Sequence, residues 1–329
     1  MSKISLFDLL REGDIDNCHK FIDQASLGGE DLVKYLNTLL YFSASLKWSK
    51  NIDQHPLIVV NSIKNIISDN RDNPSKILLY YCLEILSKES TRDNDNKCLD
   101  EIKKDGVGST VFIGNLESAI QSGEWEEAKI LAAKIFLASD HSRAVIDIIT
   151  DFGLQNIEDN GLFIFHLLRA FYFKQEKSQT WTYACCLIDV LKTKPLPEPS
   201  IRQDIQPDKL FDRVIYYYNT KFLETYTAVL RIWNGGYVRQ DSYNREISHW
   251  LHSKQFSKDK IVNEKRSELV LDHDIDYNNF INIAEVIISK GNTIVESSKG
   301  IITLEALRHI EKIRKNKYFH HYVNRLVSP

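Results

Sequence analysis

His166 lies in the most apolar run of the chain, N-G-L-F-I-F-H-L-L-R-A-F-Y-F at residues 160–173. An imidazole among Phe and Leu costs free energy unless it is hydrogen-bonded, and burial shifts its pKa. Those are the conditions a general acid/base or a metal ligand exploits. Wound as a helix, the run puts Leu162, Phe165, His166, Arg169 and Phe173 on one side. Arg169 stands one turn from His166 as a second polar group in a greasy helix. His55, which heads H-P-L-I-V-V-N-S-I-K-N-I-I, and Tyr183, which heads Y-A-C-C-L-I-D-V-L-K, are the other side chains that could share a ligand with it. His55 reaches His166 only if their helices lie side by side with a shift of about 9 Å, six residues at about 1.5 Å each. The plainer reading of His166 is a core histidine bonded to a carbonyl or a tyrosine.

Other constellations are weaker. His249-x-x-His252 sets two imidazoles one helical turn apart but needs further metal ligands, and its flanks read as an exposed helix end. Asp272-His-Asp274-Ile-Asp276 opens like a calcium loop. Tyr277 then stands where the glycine is needed and Ile283 where the closing glutamate is needed, so an N-cap fits better. The Asp105-Gly-Val-Gly stretch lacks the Gly-Lys-Ser of a phosphate loop and reads as a joint. Residues 311–325 are basic with interleaved aromatics. A nucleic-acid strip would look like this, but so would an amphipathic helix packing Ile313, Phe319, Tyr322 and Leu326 inward, the reading preferred here. No G-x-S-x-G, H-E-x-x-H or paired-carboxylate signature occurs, and the residues assign no metal and no cofactor.

The elements that must position these residues are helical. The 329 residues are 43% hydrophobic and 26% charged, and include only 13 Gly and 7 Pro, too few for the turns of a β-sandwich. Helices are expected over residues 5–25 (a hairpin), 32–46, 55–68 and 77–86, with a solvated loop at 87–97. The pattern restarts with 113–120, 126–137, 143–152, 159–173 and a helix from Tyr183. R-E-G-D-I at Arg11 matches Q-S-G-E-W at Gln121, and Cys82 aligns with Cys186. The offset drifts from about 110 to about 104 residues, an internal duplication that aligns Asn61 with His166. Residues 194–207 are a Pro-rich extended connector. Helices at 208–233, 242–251, 279–289 and 303–326 complete the chain. The expected fold is all-α: tandem helical repeats (1–98 and 99–193, a solenoid-like array) followed by a C-terminal helical region (208–329).

A net charge of −3 gives no global attraction to nucleic acid or an anionic membrane. No stretch approaches the roughly 20 apolar residues of a membrane span, and no secretory segment opens the chain. The cysteines are odd in number, without C-x-x-C, so a disulfide framework is not expected and the cytoplasm is the default compartment.

The Gly-acid hairpin turn, the helix opening of form H-P/G-L-I/F and the small-residue helix with Cys or Ala together resemble the questin oxidase-like proteins and a related helical region attached to Rieske iron–sulfur proteins. The resemblance covers about residues 5–195, and more faintly S-S-K-G-I-I-T-L-E-A-L-R at Ser297. It implies a helical oxidoreductase acting on a small organic substrate in a His-lined interior pocket. Ser298, Lys299 and Gly300 stand where the family would place a histidine, and no C-x-H…C-x-x-H pair for a Rieske cluster occurs. The alternative is a non-catalytic helical scaffold with a protein partner.

Overall fold

The computed structural model describes residues 5–24, 27–92, 94–106, 108, 110–216, 219–254, 276, 279–315 and 319–327. The protein is all-α. Among the described residues there is no strand, only an isolated antiparallel bridge between Leu46 and Thr91. The first half contains α1 (Leu6–Glu12), α2 (Ile15–Gln24), α3 (Gly29–Ser45), α4 (Pro56–Ile67), α5 (Lys76–Leu86) and α6 (Lys97–Asp105). The second contains α7 (Ile113–Gln121), α8 (Trp125–Ala138), α9 (Ala144–Gly153), α10 (Ile157–Lys174) and α11 (Thr180–Leu191). Beyond the connector come α12 (Phe211–Tyr216), α13 (Thr220–Trp233), α14 (Gln240–Ser253), α15 (Phe280–Lys290), α16 (Ile294–Ile313) and α17 (Phe319–Val327).

Local chemistry sets these bounds. Ser5 accepts from the Asp8 amide to open α1, and Gly13 closes it at φ 70, donating back to Leu9 and Leu10. Gly123 takes the same left-handed backbone at φ 73 between α7 and α8. A side chain is strained in that region, so glycine suits both turns. Pro56 occupies the first turn of α4, where its missing N–H leaves no gap, and the His55 ring caps the next amide.

Four helices form the centre. α4 packs on α10 and α16, and α13 packs on α10 and α16, which closes a ring. Contacts between α4 and α10 run in the same direction along both chains: His55 meets Phe163, Asn61 meets His166, and Lys64 meets Phe173. α4 and α10 are therefore parallel. Residues 160–168 are buried throughout, so this helix is apolar all round because it has neighbours all round.

Several expectations need correction. The segment at 208–233 is not one helix: Asn219 breaks it, its side chain accepting from the Phe222 amide to cap α13. The last helical segment does not start at residue 303. α16 starts at Ile294, capped by Thr293, whose Oγ1 accepts from the Glu296 amide, and its C-cap is Arg314, short of α17. Ile313 is 52% exposed rather than packed inward, whereas Phe319 and Tyr322 are buried. The loop at 87–97 is not simply solvated, because Arg92 anchors it to the core. Residues 195–206 carry no helix and are mostly exposed, tied down where Ser200 and Gln203 donate to Glu246 and Ser248. Asp272 and Asp274 of the calcium-like stretch lie outside the described residues. No helix among the described residues is long and apolar enough to cross a membrane.

Candidate functional site

His166 is 1% exposed, and its Nδ1 lies 2.8 Å from Asn61 Nδ2 across the α4–α10 contact. With the amide donating, Nδ1 is the acceptor and the ring proton sits on Nε2. Burial pushes the imidazole down to about 3, with the Glu305 carboxylate pulling it up and Arg231 and Lys64 pushing it down. It is therefore neutral. The other amide atom, Asn61 Oδ1, is buried without a hydrogen-bond partner.

His55 is fully buried, tilted against Trp48 and Phe163. Its Nδ1 accepts from the Leu57 amide at 3.1 Å, and Nε2 faces Cys186 Sγ at 3.9 Å. Burial, then the Arg92 charge, pushes it down to about 3. Tyr183 is 1% exposed, packs edge-on against Phe171, and keeps its hydroxyl buried and unpaired. Arg169 is exposed and does not share an interior with His166. His55 and His166 do not form the pair that a six-residue shift would give. α4 and α10 pack nearly in register, so His166 meets the residue that the 105-residue sequence offset aligns with it, Asn61, while His55 remains a helix cap.

Sequence reasoning missed the charged half of this cluster. Glu305 on α16 is 1% exposed and receives a two-pronged ion pair from Arg231 on α13, at 2.6 and 2.9 Å, plus Asn65 Nδ2 at 2.8 Å. Burial alone would raise its carboxyl. The Arg231 charge and hydrogen bonds outweigh burial and hold it well below the usual carboxylate range. The Arg231 guanidinium also stacks 3.9 Å above the Phe165 ring, next to His166 in sequence. Lys64, 6% exposed, places its Nζ 4.9 Å from the centre of the Phe173 ring. Burial and the Arg169 charge push it down to about 7, Glu305 opposing and Arg231 adding. One sequence signal could have found Lys64: the 105-residue offset that aligns Asn61 with His166 also aligns Lys64 with Arg169. Nothing comparable marks Glu305 or Arg231, whose helices read only as amphipathic.

A further, largely buried cation is structural. Arg92 donates to the carbonyls of Ala44, Leu46 and Thr182 and to both oxygens of Asp95. It joins the end of α3, the 87–97 loop and the start of α11.

The arrangement offers a neutral histidine, a buried ion pair and an amine close to half-protonated at neutral pH. Two open clefts lie elsewhere. One of about 1070 Å³ is lined by residues such as Asp69, Asn73, Lys76, Phe280 and Glu285, and one of about 650 Å³ by residues such as Phe7, Tyr41, Arg92, Asn96 and Glu101. Neither is lined by His55, His166, Arg169 or Tyr183. His249 and His252 are exposed. Among the described residues no group of three or more His, Cys, Asp or Glu is placed to hold a metal ion. Comparison with known proteins returns no matching family model, no matching curated protein and no matching solved structure.

Proposed function

We propose that this chain is a non-catalytic helical scaffold that engages a protein partner, with its first two helical sets arising as tandem repeats. One observation carries the reading: His166 is enclosed and bonded to its repeat counterpart Asn61. Its imidazole thus serves α4–α10 packing. Repetition is supported by matching contacts. The pairs α1–α2, α1–α3, α2–α5, α3–α4, α4–α5 and α3–α5 recur as α7–α8, α7–α9, α8–α11, α9–α10, α10–α11 and α9–α11. The two open clefts mix apolar side chains, Ile77 and Phe280 in one and Phe7 and Tyr41 in the other, with polar ones, a lining suited to a peptide or helix partner.

The second reading is an oxidoreductase acting on a small organic substrate. Its support is the cluster of shifted groups around His166 and the unpaired Asn61 Oδ1, features that gather at working sites. An absorption spectrum and metal analysis of the native protein, combined with His166→Gln, separate the two. The scaffold reading expects no chromophore or stoichiometric metal, and a stability loss of about 1–3 kcal/mol from one damaged buried hydrogen bond. A bound chromophore that disappears in a stably folded His166→Gln protein would establish the oxidoreductase reading instead.

A further inference from the structure

We propose that the outer end of the α4–α10 contact is a binding site for a small phosphate-like oxyanion, held by Lys64 Nζ and the Arg169 guanidinium. The two residues sit at aligned positions of parallel helices packed nearly in register, one turn beyond the Asn61–His166 contact, and the Arg169 charge acts on Lys64. Lys64 touches Phe173, which follows Arg169 by one helical turn and shares its face.

The acids at this end are already engaged. Glu305 holds Arg231 and Asn65, and Asp69 holds Arg308 and Lys312. Among the described residues no oxygen accepts a hydrogen bond from Lys64 Nζ, and no acid pairs with Arg169. A largely buried lysine whose contact is a ring face rather than an acid is costly to keep charged. Cations in the last turns of helices answer the negative helix ends, and Arg231, Lys312 and Lys64 itself all stand in such turns. That does not remove the repulsion the Arg169 charge exerts on Lys64. An anion carrying at least two acceptor oxygens would take hydrogen bonds from both groups and remove their mutual repulsion. The recessed position of Lys64 favours a small anion, while Arg169 is exposed and accessible from solvent.

The test titrates inorganic phosphate into the full chain at pH 7, with ionic strength matched by sodium chloride. Binding is followed by calorimetry and by the thermal midpoint. The expected result is a saturable rise in midpoint that is absent in Lys64→Met and requires about ten-fold more phosphate in Arg169→Gln. Lys64→Met should fold at least as stably as the parent without phosphate, since an apolar stem replaces a buried amine against Phe173. If it does not fold, Arg169→Gln, an exposed change, carries the test alone. Sedimentation with phosphatidic-acid vesicles identifies the source: co-sedimentation lost on substitution assigns a lipid headgroup, and phosphate binding without co-sedimentation assigns a soluble anion. No saturable rise, or an equal rise in the parent and the substituted proteins as salt exclusion gives, would overturn the site.

Discussion

Mild acid should destabilise this protein for a reason visible in three histidines. His55 and His166 are pushed down to about 3, and His309 to about 4, in each case mainly by burial. Their folded pKa values lie below the unfolded value near 6.5. The stability they contribute is complete above about pH 6.5 and is lost as pH falls toward the folded values. Between about pH 7 and pH 5 each loses about 2 kcal/mol, so about 6 kcal/mol together. Glu224 opposes them. Burial raises its carboxyl to about 7, with Thr303 donating to it. The folded state therefore holds a proton that the unfolded state releases, which adds about 2 kcal/mol over the same interval. The net loss is about 3–4 kcal/mol, a large part of a typical domain's stability. Urea denaturation at a series of pH values measures it directly. His55→Asn retains a capping acceptor and removes one titration, so it should shrink the loss by about 2 kcal/mol. Stability that is flat or rising from pH 7 to pH 5 would refute the claim that these rings are held neutral.

Arg231→Met should cost about 3–5 kcal/mol in chemical denaturation, because it strands Glu305 as a buried charge. Replacing both members with Met and Leu should recover much of that loss, which a double-mutant cycle would reveal. Arg92→Met should destabilise by a similar amount, and hydrogen exchange should locate the loosening at the end of α3 and the start of α11. Limited proteolysis with trypsin should cut at exposed Arg202 well before any site within residues 162–173; first cleavage inside that buried helix would contradict its placement.

Much of this architecture is legible in the sequence because helix periodicity and caps are local. The Gly13 and Gly123 turns, Pro56 and the apolar runs of α4 and α10 announce themselves. Breaks that rest on one side chain are harder. Asn219 interrupts a continuous aromatic run by capping α13, and the Thr293-x-x-Glu296 pattern that opens α16 lies ahead of the obvious apolar stripe. The candidate site is half legible. His166 is conspicuous as a polar group in an apolar helix, and the 105-residue sequence offset pairs Asn61 with it. That the two bond is decided by helix register, which no local pattern encodes. Glu305 and Arg231 look like surface charges on amphipathic helices until α13 and α16 close the ring, and Arg92 sits in a loop whose composition suggests only solvent.

The central claim is that His166 is a neutral, enclosed packing residue. Nitrogen-15 chemical shifts of the imidazoles, followed by proton-detected NMR from about pH 7.5 to pH 5 on the folded protein, test it most directly. The account predicts that His166 remains a neutral Nε2–H tautomer with an acceptor Nδ1 throughout, showing no titration step in that range. A His166 ring that titrates near its ordinary value of about 6.5 would contradict the account.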